Sequence, residues 1–133
     1  MNSKELKAEV FDIGYKIGKY PIVTGLTYDL ETLTISFLPD ADDVELEIVF
    51  NNPQGFRCLD EGDLLEFWEP GMHLPNCIFE IKSGGWFDQE SQRNGFTSQY
   101  FGLREFLVTG LDDCVSVFCS TPPIVRVKST ESI

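Results

Sequence analysis

The sequence predicts a mainly β domain with minor α content (α+β), built as an antiparallel sandwich or a partly closed barrel with one or two short helices. Three observations predict this class. Short runs of β-branched and aromatic residues recur along the chain, clusters of Gly, Pro, Asn and Asp separate them, and some runs alternate between apolar and polar residues. The length of 133 residues suits one compact domain, so we expect residues 1–133 to form a single domain.

The beginning of the chain is ambiguous and then turns to β. A short helix is predicted within residues 4–17, because apolar residues recur there at helical spacing: Leu6, Val10, Ile13 and Ile17. Residues 15–17 fit the start of a strand equally well. Residues 22–28 are rich in β-formers, and Gly25 among them predicts a β-bulge.

The clearest strands predict an antiparallel hairpin. Residues 33–37 alternate between apolar and polar side chains, and residues 44–50 alternate again across a turn cluster at 39–43. The second run is expected to point Val44, Leu46, Ile48 and Phe50 inward and Glu45 and Glu47 outward.

The remaining elements follow from turn signals and apolar runs. A short strand is predicted at 56–59, and a brief helix within 60–69, where Leu64, Phe67 and Trp68 share one face. Further strands are expected at 77–82, 104–109 and 114–119, with an edge strand at 124–127. Gly84 and Gly85 predict a turn into Trp86, and residues 88–102 are interpreted as a long loop.

The net negative charge of the chain comes from its middle segment. The formal net charge is −12, yet residues 20–81 carry thirteen acids and one base, Arg57, whereas the rest holds nine of each. Such a charge excludes binding to DNA, RNA or an anionic membrane through the general field, and it favours a basic protein partner. Arg57 is expected to organise the acidic patch by pairing with Asp60, Glu61 or an acid on a neighbouring strand.

Ten acids are the candidate partner-binding residues, because they fall on predicted turns, outward strand positions and the brief helix: Asp40, Asp42, Asp43, Glu45, Glu47, Asp60, Glu61, Asp63, Glu66 and Glu69. We expect no catalytic residues, because nucleophile-elbow, phosphate-loop, dinucleotide and HExxH motifs are missing from the sequence and His73 is its single histidine. We expect neither a metal nor a cofactor.

Cysteine usage points to a reducing compartment. The four cysteines show no CxxC pair and lie in apolar runs, so we expect reduced, buried thiols: Cys58, Cys77, Cys114 and Cys119. The first residues lack the apolar core of a secretory signal, and no run is long enough to span a bilayer. The expected location is the cytoplasm.

Three stretches carry a resemblance to a known class of proteins. Residues 55–68, 83–86 and 105–117 together resemble small bacterial immunity proteins of polymorphic-toxin and contact-dependent growth inhibition systems, over about residues 33–125. The resemblance implies a small, cytoplasmic, non-enzymatic protein that binds one cognate toxin domain and blocks its active site or substrate groove. A toxin that cuts nucleic acid has a basic groove, for which an acidic face would compete.

Two other functions remain open from the sequence. One is a small enzyme or ligand-binding β-barrel, with a cavity lined by Trp68, Trp86, Phe87 and Tyr100. The other is a structural β domain that dimerises through an edge strand such as 124–127.

Overall fold

The computed structural model describes residues 7–12, 14–15, 21–39, 44–60, 78–92, 102–110 and 113–128. These ranges contain nine strands and one helix. In chain order they are β1 (Lys7–Val10), β2 (Ile22–Tyr28), β3 (Thr32–Leu38), β4 (Leu46–Asn51), β5 (Gly55–Asp60), β6 (Ile78–Ser83), α1 (Trp86–Glu90), β7 (Arg104–Thr109), β8 (Asp113–Cys119) and β9 (Ile124–Val127).

The strands form two antiparallel sheets packed as a sandwich. One sheet has five strands in the order β1-β6-β7-β8-β5, and the other has four in the order β2-β3-β4-β9. Each sheet keeps two edge strands, so the described strands close no barrel. The mainly β, antiparallel sandwich is therefore confirmed, and the partly closed barrel is wrong for this part of the chain.

The predicted hairpin of β3 and β4 is confirmed and supplies half of the core. Its register pairs apolar residues directly, with Leu33 opposite Phe50, Ile35 opposite Ile48 and Phe37 opposite Leu46. All six side chains are at most 2% exposed. Val44 was expected to point inward with them, but it precedes β4 and is 42% exposed.

The other half of the core comes from alternate residues of the five-stranded sheet. Phe106 and Val108 on β7 alternate with residues of the opposite face and join the inner cluster, together with Ile78, Val115, Val117 and Cys119. Phe106 contacts Phe50 across the interface, with ring centroids 5.7 Å apart. Burial of this apolar surface is the dominant stabilising term, at about 25 cal/mol per Å².

The outer face of the five-stranded sheet is also apolar and buried. Phe79, Ile81, Leu107 and Cys114 form a second cluster there, and Leu107 is fully buried. Burial on both faces explains why β8 is apolar apart from Asp113 and Ser116, and why Phe106, Leu107 and Val108 follow one another on β7. This outer face carries the candidate site described below.

Tertiary pairing overrides the local pattern at the beginning of the chain. The helix predicted within residues 4–17 is wrong for residues 7–10, which form β1 and pair with β6, Ala8 opposite Ile81 and Val10 opposite Phe79. The predicted bulge in β2 is confirmed, since the register with β3 shifts between Val23 and Gly25.

The chain bends at Gly84 and Gly85 before Trp86, as predicted, but the loop predicted over 88–102 is wrong for residues 88–90, which are helical, and residues 93–101 lie outside the described ranges. Residues 86–90 are helical, so the chain leaves Gly85 directly into a helix. Helix propensity alone is weak over five residues, and contacts with the sheet hold this helix in place. The brief helix predicted within 60–69 lies outside the described residues, except for Asp60, which ends β5.

Cysteine burial follows strand position. Cys114 and Cys119 lie on β8, an interior strand of the five-stranded sheet, and are buried free thiols, as predicted. Cys58 was expected to be buried but is exposed, because β5 is an edge strand. Cys77 lies outside the described residues. Among the described helices none is long and apolar enough to cross a bilayer.

Candidate functional site

The ten acids predicted to bind a partner are only partly described. The structure gives the side chains of Glu45 and Glu47 and the backbone of Asp60. The other seven lie outside the described residues: Asp40, Asp42, Asp43, Glu61, Asp63, Glu66 and Glu69.

Glu45 and Glu47 pair with two cations, Arg126 on β9 and Lys128 just after it. Arg126 lies opposite Glu47 in the β4–β9 register, and its Nε donates to Oε1 of Glu47 at 2.9 Å. The Lys128 ammonium lies 3.5 Å from Oε1 of Glu45. A hydrogen bond from the Thr24 hydroxyl, followed by the charge of Lys128, lowers the pKa of Glu45. The outer face of the four-stranded sheet is thus locally balanced in charge.

One end of the sandwich gathers acids of the five-stranded sheet, and we call it the acidic end. Asp60 and Asp113 are register partners on β5 and β8. Asp12 follows β1 beside the start of β6, since the N–H of Phe11 donates to the carbonyl of Ile78 at 2.9 Å. Partial burial and the charge of Asp113 raise the pKa of the Cys58 thiol, which places Asp113 near that side chain.

The strand ends that flank most of the predicted acids also lie at the acidic end. A Cβ on Gly110, in the β7–β8 connection, would lie 2.9 Å from Cγ2 of Val23, which ties this end of the five-stranded sheet to the start of β2. The antiparallel order then brings the end of β3 and the start of β4 to this end. Segment 39–45 joins β3 to β4, and segment 61–77 runs from Asp60 to Ile78, so both connections leave from and return to the acidic end.

At the opposite end, the outer face of the five-stranded sheet holds a buried carboxylate that sequence reasoning missed. Glu105 on β7 shares this face with Leu107, and only 3% of its surface is exposed. Its register partners are Ile81 on β6 and Phe118 on β8. The sequence signal that could have found it is the alternation of a strand: Glu105 lies two residues before Leu107, so both side chains point to the same, apolar face.

Glu105 accepts hydrogen bonds from the first turn of α1. The backbone N–H of Trp86 donates to Oε2 at 3.0 Å, and that of Phe87 donates to Oε1 at 2.8 Å. The N-cap residue Gly85 has no side chain to cap the helix, so a residue of β7 does so instead. A Cβ on Gly85 would lie 2.8 Å from Oε2 of Glu105 and 2.6 Å from Cγ2 of Ile81, so the approach requires glycine.

Aromatic rings complete the contact between α1 and the sheet. Trp86 stacks on Phe118 with ring centroids 4.0 Å apart, and Phe87 meets the same ring edge-on at 5.5 Å. The Arg57 guanidinium carbon lies 4.8 Å from the centroid of Trp86. Arg57 was expected to organise an acidic patch near Asp60. In the structure, the Arg57 guanidinium lies over Trp86 and in electrostatic contact with Glu105. The side chains of Asp60 and Glu61 lie outside the described part of the chain, so their pairing with Arg57 stays a prediction.

The surroundings of Glu105 bring the pKa of its carboxyl group close to neutral pH. Burial raises the pKa of Glu105 to about 7, against the two helix N–H groups and the Arg57 charge, which lower it. The charge of Asp88 adds to the increase. Asp88 also holds the turn, because Oδ2 accepts the N–H of Gly84 at 2.6 Å.

A cleft of about 320 Å³ opens beside Glu105. Its lining combines apolar and charged residues of β6, α1 and β7: Glu80, Ile81, Lys82, Ser83, Phe87, Asp88, Leu103, Arg104 and Glu105. Arg104 donates from Nε and Nη2 to both oxygens of Glu80, at 2.7 and 2.8 Å, and this pairing lowers the pKa of Glu80.

The aromatic cavity predicted for a ligand-binding barrel is only partly brought together. Phe87 lines the cleft, whereas Trp86 packs on Phe118. Trp68 and Tyr100 lie outside the described residues. Within the described ranges, no group of three or more His, Cys, Asp and Glu side chains is arranged to hold a metal ion.

Comparison of the chain with protein-family models, with curated proteins and with solved structures found no match.

Proposed function

We propose that this chain is a non-enzymatic, cytoplasmic immunity protein that binds and neutralises a cognate toxin domain, a basic protein, through its acidic end. The observation that carries the proposal is the topology: Asp12, Asp60 and Asp113 share one end of the sandwich, and both acid-rich connections leave from it. Nine of the ten predicted acids fall on those connections or at their flanks; Glu47 is the tenth. The resemblance to immunity proteins supplies the class of partner.

Charge complementarity gives the proposal its physical basis. Arg126 on β9 and Lys128, which follows it, already compensate Glu47 and Glu45 within the chain. In the sequence, the acids of segments 40–43 and 61–69 lie in a stretch, residues 20–81, that contains a single base, Arg57. An excess of negative charge at one end accelerates encounter with a basic groove and suppresses binding to nucleic acid or anionic membranes.

The test is binding to the purified toxin domain encoded beside this gene, measured by calorimetry at low and high salt. The variant Asp60→Asn/Asp113→Asn removes two charges from the acidic end, and Glu31→Gln/Glu90→Gln removes two outside it. We expect the first to weaken binding at low salt by about tenfold or more, or at least about 1.4 kcal/mol, and the second to change it by less than about twofold.

Cell growth gives the second readout. Co-expression of the wild-type chain is expected to protect cells from that toxin domain, and the acidic-end variant is expected to protect less. Equal affinity of both variants, or no protection by the wild-type chain, would contradict the proposal.

A second candidate function is a structural domain that dimerises through β9. The observation in its favour is that β9 is an edge strand on which Ile124 is 55% and Val127 51% exposed. The N–H of Lys128 donates to the carbonyl of Glu45, so the alternate residues Val125 and Val127 direct their backbone groups away from β4.

A further inference from the structure

We propose that the cleft beside Phe87 binds a small organic cation, a primary ammonium group on an apolar body, with Glu105 facing the charge and Phe87 the apolar body. The cleft has a volume of about 320 Å³, near the lower end of the range for small-molecule sites. The inference is independent of the partner proposed above, because the cleft lies at the opposite end of the sandwich from Asp60 and Asp113.

The two cations that line the cleft are already paired, which disfavours an anionic ligand. Arg104 donates from Nε and Nη2 to both oxygens of Glu80, at 2.7 and 2.8 Å. The Lys82 ammonium lies 3.3 Å from Glu80 and 3.7 Å from Glu9. These four charges balance, so an anion would have to compete for Arg104 or Lys82 with carboxylates that the fold already holds in place.

The remaining charge of the described lining residues is negative and comes from Glu105 and Asp88. Each oxygen of Glu105 accepts one helix N–H, whereas an ionised carboxylate offers about four acceptor positions. An ammonium group has donors and no acceptor, so it finds at Glu105 both a hydrogen-bond acceptor and an opposite charge. Because Glu105 is only 3% exposed, water and salt screen this attraction little.

The apolar side chains of the cleft suit the body of such a ligand. Ile81 on β6, Phe87 on α1 and Leu103 before β7 line it, and an aromatic ring such as Phe87 also attracts a cation. The Phe87 ring meets Phe118 edge-on at 5.5 Å, and the Phe87 N–H donates to Glu105 at 2.8 Å. The ring and the carboxylate are therefore held together before a ligand binds, which lowers the entropy cost of binding.

The ligand competes with a proton for Glu105. Burial raises the pKa of Glu105 to about 7, and a bound ammonium group favours the ionised form, so affinity should rise with pH. Arg104 lowers the pKa of Glu80, which therefore stays ionised over this range. The charged groups around Glu105 come from four elements, namely Arg57 on β5, Glu80 and Lys82 on β6, Asp88 on α1 and Arg104 on β7.

The experiment is a nuclear magnetic resonance titration of the wild-type chain with three probes that share a ring and differ in charge: benzylammonium, benzyl alcohol and benzoate. We expect benzylammonium to shift the amide signals of Phe87, Asp88 and Glu105 saturably, with an affinity at least about tenfold above that of the other two. Its affinity should rise by about tenfold from about pH 6 to about pH 8, a range over which the probe stays protonated.

Three results would overturn the proposal. One is the absence of saturable shifts with benzylammonium at millimolar concentration. The second is equal affinity for benzyl alcohol or benzoate, which would show that the cleft does not select a cation. The third is an affinity for benzylammonium that stays constant or falls as the pH rises, because a cation at Glu105 must displace its proton.

Two variants identify the group that attracts the cation. Glu105→Gln keeps the size of the side chain and removes its charge, so it should lower the benzylammonium affinity by about tenfold at alkaline pH and abolish its pH dependence. Glu31→Gln removes an exposed carboxylate from the β2–β3 turn of the other sheet and should change the affinity by less than about twofold. Equal losses in both variants, or a pH dependence that survives in Glu105→Gln, would contradict the assignment. If Glu105→Gln does not fold, the three probes and the pH dependence of the wild-type chain decide.

Discussion

Glu105 shows how one residue substitutes for a missing local interaction. Ser, Thr, Asp or Asn usually caps the start of a helix, but α1 starts after Gly85, which has no side chain. A carboxylate from β7 accepts the two orphan N–H groups instead, and the close approach of Gly85 to Glu105 leaves no room for a Cβ. The cap therefore belongs to the tertiary structure.

The elevated pKa of Glu105 predicts an unusual dependence of stability on pH. Its native pKa of about 7 exceeds the ordinary value of 4.5, so between these pH values the native state binds more protons than the unfolded state. The contribution of Glu105 to the free energy of unfolding is then greatest below pH 4.5 and falls as the pH rises toward 7, by on the order of 3 kcal/mol. Urea unfolding of wild type and Glu105→Gln across this range should show their difference shrinking accordingly.

Glu80→Gln is the matched control, since Arg104 lowers the pKa of Glu80. Its carboxylate adds stability above its ordinary pKa and loses it as the pH falls, so this substitution should cost more at neutral than at acidic pH. A constant difference between wild type and Glu105→Gln would show that the pKa of Glu105 is the same in the native and the unfolded state.

Little of this arrangement was predictable at the residue scale. Arg57 was singled out as the lone base among acids, yet its contact is Trp86, which follows it by 29 positions and lies on α1. Glu105 looked like one more strand acid, because burial of the outer face depends on which elements cover the sheet. The sequence pattern does not contain that information.

At the scale of elements, strands with alternating patterns were predictable and short elements fixed by contacts were not. The register of β3 and β4 follows from their apolar alternation, because a shift by one residue would turn every apolar side chain outward. Residues 7–10 have spacing that also fits a helix, and pairing with β6 decides for a strand. The five-residue α1 depends on Glu105 and Phe118.

Gly110 gives a prediction at the element scale, because it brings the β7–β8 connection close to the backbone of β2. A Cβ there would lie 2.8 Å from the carbonyl oxygen of Asp113 and 3.1 Å from the backbone nitrogen of Val23. Gly110→Ala must displace one of these backbones, so we expect a loss of about 1–3 kcal/mol in the free energy of unfolding, measured in urea.

Gly25 is the matched control in the same region of β2. A Cβ there meets no atom within 4 Å, and the residue does not require a positive φ. Gly25→Ala should be neutral or stabilise by about 0.4–1 kcal/mol, through the reduced entropy of the unfolded chain. Equal losses for the two variants would show that the contact with Val23 does not limit the turn.

At the scale of the molecule, the sequence predicted an antiparallel sandwich and an excess of acids in the middle of the chain. It did not contain strand order, and strand order decides where that charge lies. Only the topology brings Asp12, Asp60 and Asp113 to one end, and only the β4–β9 pairing compensates Glu47 with a base 79 residues away.

The edge strand β9 yields a prediction for the whole molecule. If two copies associate, they should do so by antiparallel pairing of this edge, and sedimentation velocity over a wide concentration range should detect a dimer. Val127→Lys should abolish it, because a lysine on an edge opposes strand addition. Ile22→Lys, on the exposed edge strand β2 of the same sheet, should leave it unchanged. Sensitivity to Ile22→Lys instead would assign dimerisation to the other edge.

The late position of β9 in the sequence also determines when the four-stranded sheet can be completed during folding. It follows the other eight described strands in sequence, yet it completes the sheet that β2, β3 and β4 begin. During synthesis, β4 must wait as an open edge, with the carboxylates of Glu45 and Glu47 uncompensated, until residues 124–128 emerge. Such long-range closure slows folding and leaves a nascent intermediate open to mispairing. Deletion of residues 124–128 would leave the edge of β4 open permanently.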